Sequence, residues 1–488
     1  MWTDFFQPED FVAIVPHLEL TIFACGILLL DFLLDARYKF VSAITALLGV
    51  AFSGFQIWRL HDRTMLAFRG TGDGGLIVVD SFFIYFSFIF LLATALVILM
   101  SIRYLEIEKE NEGEYYSLIL FATVGMMLLA GGIDLITLFI GLELMAISFY
   151  LLTGFLRRDR RSNEAAIKYF LLGVFSSGIL AYGFSLLYGI SGSTNIYRIA
   201  EAVRQRGPDD PIVFLATITI AAALFFKVAA VPFHQWAPDV YEGAPTPITA
   251  YISVASKAAS FALLLRLFLI PLGPVRTNWE DILAVVAVAT MVIGNLAALN
   301  QDNIKRLLAY SSIGHVGYML LGVVAGNETG RTGIAVYIFV YAMMTLGAFA
   351  VVTGMRRSNL IGDRIEDMRG LFFKNPVPAS LMIIFLLSLT GIPPTGGFVA
   401  KYFIFLALIQ TGHYYLAIIA ALYVAVALYY YFRIVVAMFM DKPREPGKME
   451  LAPGLVAALA ITVVLTLAPG IYPEPLIRFA QFSMIPFR

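Results

Sequence analysis

A succession of apolar runs, each about 20 residues long, limits the possible folds of this chain more than any other feature, because a helix of that length spans about 30 Å of bilayer hydrocarbon. Only 14% of the 488 residues are charged and 60% are hydrophobic, whereas a soluble domain carries about 25% charged residues. The sequence therefore predicts an all-α polytopic membrane protein, with residues 1–488 forming one membrane domain of about fourteen transmembrane helices. The predicted spans lie near residues 12–34, 39–58, 76–100, 115–131, 133–155, 165–190, 211–241, 248–270, 280–299, 303–325, 330–354, 377–409, 414–440 and 450–472.

The composition excludes several kinds of cofactor chemistry within this chain. Cys25 is the only cysteine, so the chain has no internal disulfide and no cysteine-ligated cluster of its own. The five histidines lack the spacing of a zinc or haem site, and no nucleotide-binding fingerprint is present. Basic and acidic residues balance at 34 each, so nothing indicates a nucleic-acid partner. We expect no bound metal or cofactor, and we expect any redox chemistry to lie in another chain.

Two predicted spans contain helix-breaking residues. The seventh span contains Pro232 and Pro238, and the twelfth contains the sequence GIPPTGG at 391–397. In a bilayer, such interrupted backbone occurs only where protein or cavity water satisfies its hydrogen bonds. The two spans lie five helices apart and so run in opposite directions, as in inverted repeats whose broken helices mark the ion path. The pattern predicts two five-helix repeats, helices 4–8 at about 115–270 and helices 9–13 at about 280–440.

Five ionisable side chains lie inside the apolar runs. Each such group at the centre of a membrane helix costs about 2.5–3.5 kcal/mol of insertion free energy, and groups retained at that cost commonly serve ion movement. A simple membrane anchor would not need them. The five residues are Glu143, Lys168, Lys227, Lys257 and Lys401.

Lys227 and Glu143 are the best candidates for a proton switch. Lys227 follows the apolar segment 221–226 and precedes the first break by five residues. Desolvation favours the neutral form of a lysine, whereas a nearby carboxylate favours the charged form. Movement of Glu143 would therefore hold or release the proton of Lys227. The alternative is a static ion pair that locks two helices.

Lys257 shares a predicted helical face with three serines, Ser253, Ser256 and Ser260. Small hydroxyl side chains leave room for water, so this face predicts a relay element. The alternative is a helix-packing seam of small residues around a buried lysine. Lys168 has Glu164 one turn earlier, and it either tunes the site or extends to the membrane interface.

Lys401 follows the second break on the same predicted span and is the candidate terminal site. His315 follows Ser311 and precedes Tyr318 on one helical face, and an imidazole that titrates near pH 6.5 suits proton relay. A core histidine whose hydrogen bonds are satisfied is the alternative. Packing with incidental hydrogen bonds is the expected role of three further polar residues, Tyr337, Tyr341 and Thr345.

Two segments resemble a known family. Residues 226–247 read FKVAAVPFHQWAPDVYEGAPTP, and residues 303–315 read NIKRLLAYSSIGH. Both are similar to the antiporter-like subunits of respiratory NADH-quinone oxidoreductase, complex I, and the form PDVYEGAP with Lys257 in ASKA is similar to the subunit N branch. The resemblance covers essentially the whole chain. Ser253 departs from the L and M branches, which tend to have a histidine near this lysine.

The resemblance implies roles for the candidate residues. Glu143 and Lys227 would form the controlling pair, Lys168 would tune it, Lys257 would be the central relay and Lys401 would lead to the outer face. The chain would be a non-redox, proton-translocating subunit of a translocase.

The resemblance also implies partners and a location. NADH, FMN, iron–sulfur clusters and quinone would be bound by partner subunits. The neighbours would be the antiporter-like subunit M, small subunits such as K, and membrane lipids. Lys and Arg concentrate in alternate loops, for example at 157–161 and at Lys305 and Arg306, which predicts both termini on the periplasmic side of a bacterial inner membrane.

Three alternatives remain open from the sequence. One is a subunit of a multisubunit sodium–proton antiporter, although sodium favours oxygen ligands and the buried groups here are mainly lysines. Another is a non-conducting scaffold whose charges lock helices together. A third is a related complex that accepts electrons from ferredoxin or a deazaflavin.

Overall fold

Helices account for most of the computed structural model, which describes residues 7–35, 38–69, 74–110, 112–356, 362–442, 449 and 451–487. The helices of the first half are α1 (Pro8–Leu33), α2 (Phe40–Arg59), α3 (Ser81–Glu108), α4 (Gly113–Gly131), α5 (Leu135–Thr153), α6 (Arg160–Ser191), α7 (Ile196–Arg206), α8 (Pro211–Val228), α9 (Trp236–Gly243), α10 (Thr246–Tyr251) and α11 (Lys257–Leu269). Those of the second half are α12 (Glu280–Ala298), α13 (Ile304–Ala325), α14 (Glu328–Met355), α15 (Leu371–Lys374), α16 (Pro376–Thr390), α17 (Gly396–Gln410), α18 (Tyr414–Phe439), α19 (Pro453–Ile471) and α20 (Glu474–Ser483).

Shorter elements join these helices. A π-helical turn, Ile252–Ser256, connects α10 to α11. Short 3₁₀ turns occupy Gly273–Asn278, Ile365–Met368 and Ile485–Phe487. Strands β1 (Met65–Ala67) and β2 (Ile77–Val79) pair antiparallel between α2 and α3, with Met65 opposite Val79.

The number of crossings agrees with the sequence prediction. Within the described residues, thirteen helices are long and apolar enough to span a membrane, with 246–269 counted as one helix. The shorter apolar helices α16 and α17 together supply one further crossing. The predicted all-α fold with broken seventh and twelfth spans is confirmed.

Both breaks lie where the sequence predicted them. α8 ends at Val228 and α9 begins at Trp236, while α16 ends at Thr390 and α17 begins at Gly396. Side-chain hydroxyls satisfy part of the interrupted backbone. The Val231 amide donates to Thr290 Oγ1 at 3.0 Å. The Gly397 amide donates to Ser388 Oγ at 3.1 Å.

Burial divides the helices into a centre and a periphery. α14 is buried along its whole apolar stretch, and α13 and the α10–α11 unit are almost as enclosed. By contrast, α1, α6, α18 and α19 expose broad apolar faces, as membrane-facing helices do. The helices that carry Lys257 and His315 are therefore among the innermost ones.

A buried ion pair anchors the end of α11 to the start of α3. The Arg266 Nη2 donates to both carboxylate oxygens of Asp80 at 3.0 Å, and its Nε donates to the Ala130 carbonyl at 2.7 Å. Asp80 also accepts from the Phe83 amide as the N-cap of α3. Arg266 is fully enclosed. The sequence placed this arginine inside a helix but gave no sign of its partner.

Candidate functional site

Lys227 and Glu143 lie near each other without forming a contact ion pair. Lys227, the penultimate residue of α8, is 6% exposed, and its Nζ donates to Ser177 Oγ in α6 at 3.2 Å. The charge of Glu143 in α5 acts on Lys227. Among the described residues, however, Glu143 makes no salt bridge, and its Oε1 has no hydrogen-bond partner. The two charges are therefore coupled through space, so the contact required by a static ion pair is absent between them.

Lys168 lies in a cluster of paired charges at the rim of the domain. Its side chain is 43% exposed and contacts Glu164 and Asp239, both at 2.9 Å. Asp239 also accepts from Arg306 at 2.8 Å, and Arg306 donates to Glu242 at 3.0 Å. This position matches the interfacial alternative for Lys168, and any tuning effect on the interior must act through the cluster.

Lys257 stands at the junction between the π-helical turn and α11. It is 2% exposed, and its Nζ donates to Ser312 of α13. Its ammonium lies 5.8 Å from the centre of the Tyr241 ring. A π-helical turn places an extra residue in the helical turn and therefore shifts the faces of the helix.

The predicted serine face does not bridge Lys257. Instead, Ser253 donates to the Ala250 carbonyl and Ser260 donates to the Ser256 carbonyl, both within their own helix. The hydroxyl that contacts Lys257 comes from another helix. Helical periodicity alone gave no indication of that partner.

His315 is the centre of a buried group of hydroxyls. Its Nδ1 is 2.7 Å from the Tyr337 hydroxyl of α14, and its Nε2 is 3.3 Å from the Tyr431 hydroxyl of α18. Tyr431 also hydrogen-bonds Ser311. Tyr337 was expected to pack with incidental hydrogen bonds, and one such bond joins it directly to the imidazole. Tyr431 was not predicted because it lies in an aromatic run on a largely exposed helix.

Lys401 caps the first half of the broken twelfth span. It is 4% exposed, and its Nζ donates to the carbonyls of Leu389 at 3.0 Å and Thr390 at 2.7 Å. These carbonyls belong to the last turn of α16, where the helix dipole favours a cation. The ammonium also lies 4.9 Å from the centre of the Tyr318 ring.

One face of α13 connects Lys257 to Lys401. Ser312, His315 and Tyr318 follow one another at intervals of three residues, a spacing that places neighbouring side chains on one side of a helix. Ser312 contacts Lys257, and Tyr318 contacts Lys401. The charges of both lysines act on His315. The predicted stripe on α13 began at Ser311, whereas the face that lies between the two buried amines begins at Ser312 and shares His315 and Tyr318 with that stripe.

The segment between Lys227 and Lys257 is aromatic rather than hydroxyl-lined. Trp236 donates through Nε1 at 2.9 Å to the carbonyl of the residue before Lys227. The Trp236 ring stacks on Tyr169 at 4.6 Å, and Tyr169 interacts with Ser256, the neighbour of Lys257. In the part of the chain that the structure describes, packed aromatic rings therefore lie between these two lysines.

Lys305 is an additional buried lysine. The sequence reasoning grouped it with the loop cations, but it lies in the first turn of α13, is 5% exposed and donates to the Ala244 carbonyl at 2.6 Å. Its neighbour Arg306 is partly exposed in the rim cluster. Adjacent residues at a helix start point in different directions, which a count of loop charges does not register.

The site thus consists of amines, hydroxyls, one carboxylate and one imidazole, all of which can accept and donate protons. Within the described ranges, no group of three or more His, Cys, Asp or Glu side chains is arranged to hold a metal ion. The chemistry that this arrangement supports is proton transfer through a low-dielectric interior.

Comparison with known proteins places this geometry in a family. The family model described as "NADH:quinone oxidoreductase/Mrp antiporter, TM" matches residues 132–439. NADH-quinone oxidoreductase subunit N 2 of Solibacter usitatus is 58% identical, and the match covers 98% of each chain. A chain in the solved structure of respiratory complex I from Thermus thermophilus with bound aureothin is 32% identical, with a TM-score of 0.81 and coverage of 95% of this chain and 98% of that one.

A third comparison shows how widely the fold is shared. A chain in the structure of the Mrp complex from Dietzia has a TM-score of 0.83 at 21% identity, with coverage of 96% of this chain and 97% of that one. That likeness shows a common fold only. The near-complete match to curated relatives is the more specific finding, and by it the chain belongs to the NADH-quinone oxidoreductase subunit N family.

Proposed function

We propose that this chain is a proton-translocating membrane-arm subunit of an NADH-quinone oxidoreductase, respiratory complex I. It acts as a non-redox subunit of the translocase and couples electron transfer in other subunits to proton movement across the membrane. The observation that carries this proposal is the face of α13 that links buried Lys257 to buried Lys401 through Ser312, His315 and Tyr318.

The proposed path begins at Glu143 and Lys227. A change in the charge environment of Glu143 releases or holds the proton on Lys227. The two side chains make no contact, so the charge of Glu143 can change without breaking an ion pair. The proton then passes through Lys257 and along α13 to Lys401. Moving one charge against 100 mV takes about 2.3 kcal/mol, so several coupled sites share the work. Lys168 modulates the start of the path through its contact with Asp239.

The proposed partners follow from the α5 surface. Ile136, Ile140, Ile147 and Leu151 form an exposed apolar stripe on α5, and Glu143 lies beside it. A carboxylate next to lipid is costly, so this face is best covered by protein. We assign it to a neighbouring membrane-arm subunit, the antiporter-like subunit M or a small subunit such as K.

The cofactors and location belong to the same proposal. NADH, FMN, iron–sulfur clusters and quinone bind to partner subunits. The chain lies in a bacterial inner membrane with both termini on the periplasmic side, because the opposite face carries the loop arginines. Residues 115–270 and 280–440 form the two inverted repeats around the breaks.

The sodium–proton antiporter alternative rests on the fold that is shared with the Mrp complex chain. Sodium sites are built from oxygen ligands, whereas the interior groups in contact here are amines with hydroxyl and carbonyl partners. This chemistry favours protons. The scaffold alternative predicts that neutralising an interior lysine harms assembly before it harms transport.

The experiment compares proton uptake by sealed inverted vesicles during NADH-driven quinone reduction. Lys227→Ala is set beside Lys442→Ala, a matched control at an exposed lysine beyond α18. The proposal expects the first variant to assemble with reduced proton uptake and coupled turnover, and the control to match the native chain. Native uptake per electron in an assembled Lys227→Ala complex contradicts the proposed role of Lys227.

A further inference from the structure

Three cavities meet on the arginine-rich face, which we define as the face that carries Arg161, Arg306 and Arg356. Their volumes are about 780, 250 and 50 Å³. Arg161 and Glu242 line all three, and Asp363 lines the largest and the smallest. We call these joined cavities the vestibule.

Lys305 forms the inner wall of the vestibule. It lines the 50 Å³ cavity and is 5% exposed. The backbone and side chain of Asp363 cover it, since the Ile304 amide donates to the Asp363 carbonyl at 2.7 Å and Asn303 Nδ2 donates to Asp363 Oδ2 at 3.1 Å. The charges that act on Lys305 come from three elements besides its own and belong to Asp363, Glu242, Asp159 and Arg161.

Lys305 also aligns with the interior path. Ser312 lies seven positions after Lys305 on α13. This spacing places the two residues two helical turns apart on the same face, about 10 Å along the helix axis. Ser312 is the hydrogen-bond partner of Lys257. Lys305 thus lies between the vestibule and the first hydroxyl of the α13 face.

We propose that Lys305 is the proton-loading site of this chain, at which protons from the arginine-rich face enter the path to Lys257. The inference rests on the proposed function and adds an entry point to it. The Lys305 ammonium gives one proton toward the neutral amine of Lys257. The resulting neutral Lys305 amine then takes one proton from a hydronium ion that enters the vestibule and leaves a water molecule there, so each cycle transfers a single proton without net change at Lys305.

A purely structural role has a different chemical requirement. Ala244 is the C-cap residue of α9, and a cation there satisfies its carbonyl and stabilises the end of the helix. A cap needs only a permanent positive charge. A loading site needs an amine that loses its proton, and arginine does not do so in proteins.

The test therefore measures proton uptake per electron in sealed vesicles for Lys305→Arg, with Lys442→Arg as the exposed control and Lys257→Met as the reference for the proposed function. We expect Lys305→Arg to assemble and to lose at least half of the uptake that Lys257→Met loses, with Lys442→Arg unchanged. Native uptake in Lys305→Arg alongside a loss in Lys257→Met overturns the loading site alone. Native uptake in Lys257→Met overturns the proposed function, and the loading site with it.

A second variant covers the case in which the guanidinium does not fit. Lys305→His replaces the amine with a group that titrates near pH 6.5. Relative to the native complex at the same pH, uptake by this variant should be at least twofold higher at pH 6 than at pH 8. Comparison with the native complex at each pH cancels the effect of other charged groups that titrate near the site. These groups are Asp159, Arg161, Glu242, Asp363 and the Glu108–Arg356 pair that lines the same cavity. An equal ratio at both pH values contradicts proton loading at this position.

Discussion

Breaking the buried Arg266–Asp80 pair should destabilise the fold without impairing the proton path. In Asp80→Asn, the enclosed guanidinium loses its counter-charge and at least one of two hydrogen bonds at 3.0 Å, because an amide nitrogen cannot accept, while the bond to the Ala130 carbonyl remains. Removing one partner of a buried ion pair costs about 3–5 kcal/mol. The double variant Asp80→Asn/Arg266→Gln removes both charges and should recover part of that loss, because no uncompensated ion then remains buried.

The assay heats the purified complex and measures the fraction of this chain that stays assembled, together with proton uptake per electron in vesicles prepared before heating. Glu474→Gln is the control, because it breaks an exposed pair with Arg478 at 2.7 Å and such pairs contribute about 0–1 kcal/mol. Asp80→Asn should lose heat resistance far more than Glu474→Gln while its assembled fraction keeps native uptake per electron. Equal heat resistance in the two variants, or a double variant less stable than Asp80→Asn, refutes the reasoning.

Three further predictions concern the interior path. Tyr431→Phe removes the hydroxyl that contacts His315 and should lower proton uptake per electron, whereas Tyr429→Phe, at an exposed ring of the same helix, should not; equal effects contradict a role for the hydroxyl. Lys401→Arg should keep the cap on α16, so the complex should assemble but lose proton uptake. Lys401→Met should lose proton uptake and also about 1.5–3 kcal/mol of stability for each charged hydrogen bond removed. Proton uptake by vesicles measures the first effect, and heat resistance of the complex measures the second. Glu143→Gln should leave assembly unchanged, because Glu143 Oε1 has no described hydrogen-bond partner to lose, and should reduce coupled turnover; native turnover contradicts the switch.

The spans and breaks were predictable because they follow from local chemistry. A bilayer requires long apolar helices, so hydrophobic length alone locates them. Proline and glycine interrupt a helix wherever it packs, which is why 229–235 and 391–395 lie at the predicted breaks. The small helices α7 and α20 were not predicted, because neither is apolar enough to register as a span.

The contacts of the site were less predictable because they depend on which helices meet. The apolar run around Lys257 predicted that this lysine is buried, but its partner Ser312 comes from another helix. The π-helical turn also shifts the face on which the lysine lies. Tyr431 lies among exposed aromatic residues of α18 and becomes a contact of His315 only through packing. Lys305 was taken for a loop cation because burial at a helix start has no sequence signal of its own.

The contrast between Arg266 and the lysines separates two uses of buried charge. Arg266 is held by a carboxylate at contact distance and cannot readily lose its proton. Lys227, Lys257 and Lys401 make hydrogen bonds to hydroxyl or carbonyl oxygens, and within the described residues none of them has a carboxylate within salt-bridge distance. A neutral partner leaves an amine free to change its protonation state, which a proton path requires.

The most direct test of the account is the proton-to-electron ratio of vesicles in which Lys257→Met complex has been shown to assemble at the native level. The account predicts reduced proton uptake per electron, or coupled turnover that falls with it, because the central amine that contacts Ser312 of the α13 face is gone. An assembled Lys257→Met complex with the native ratio and native turnover would contradict it.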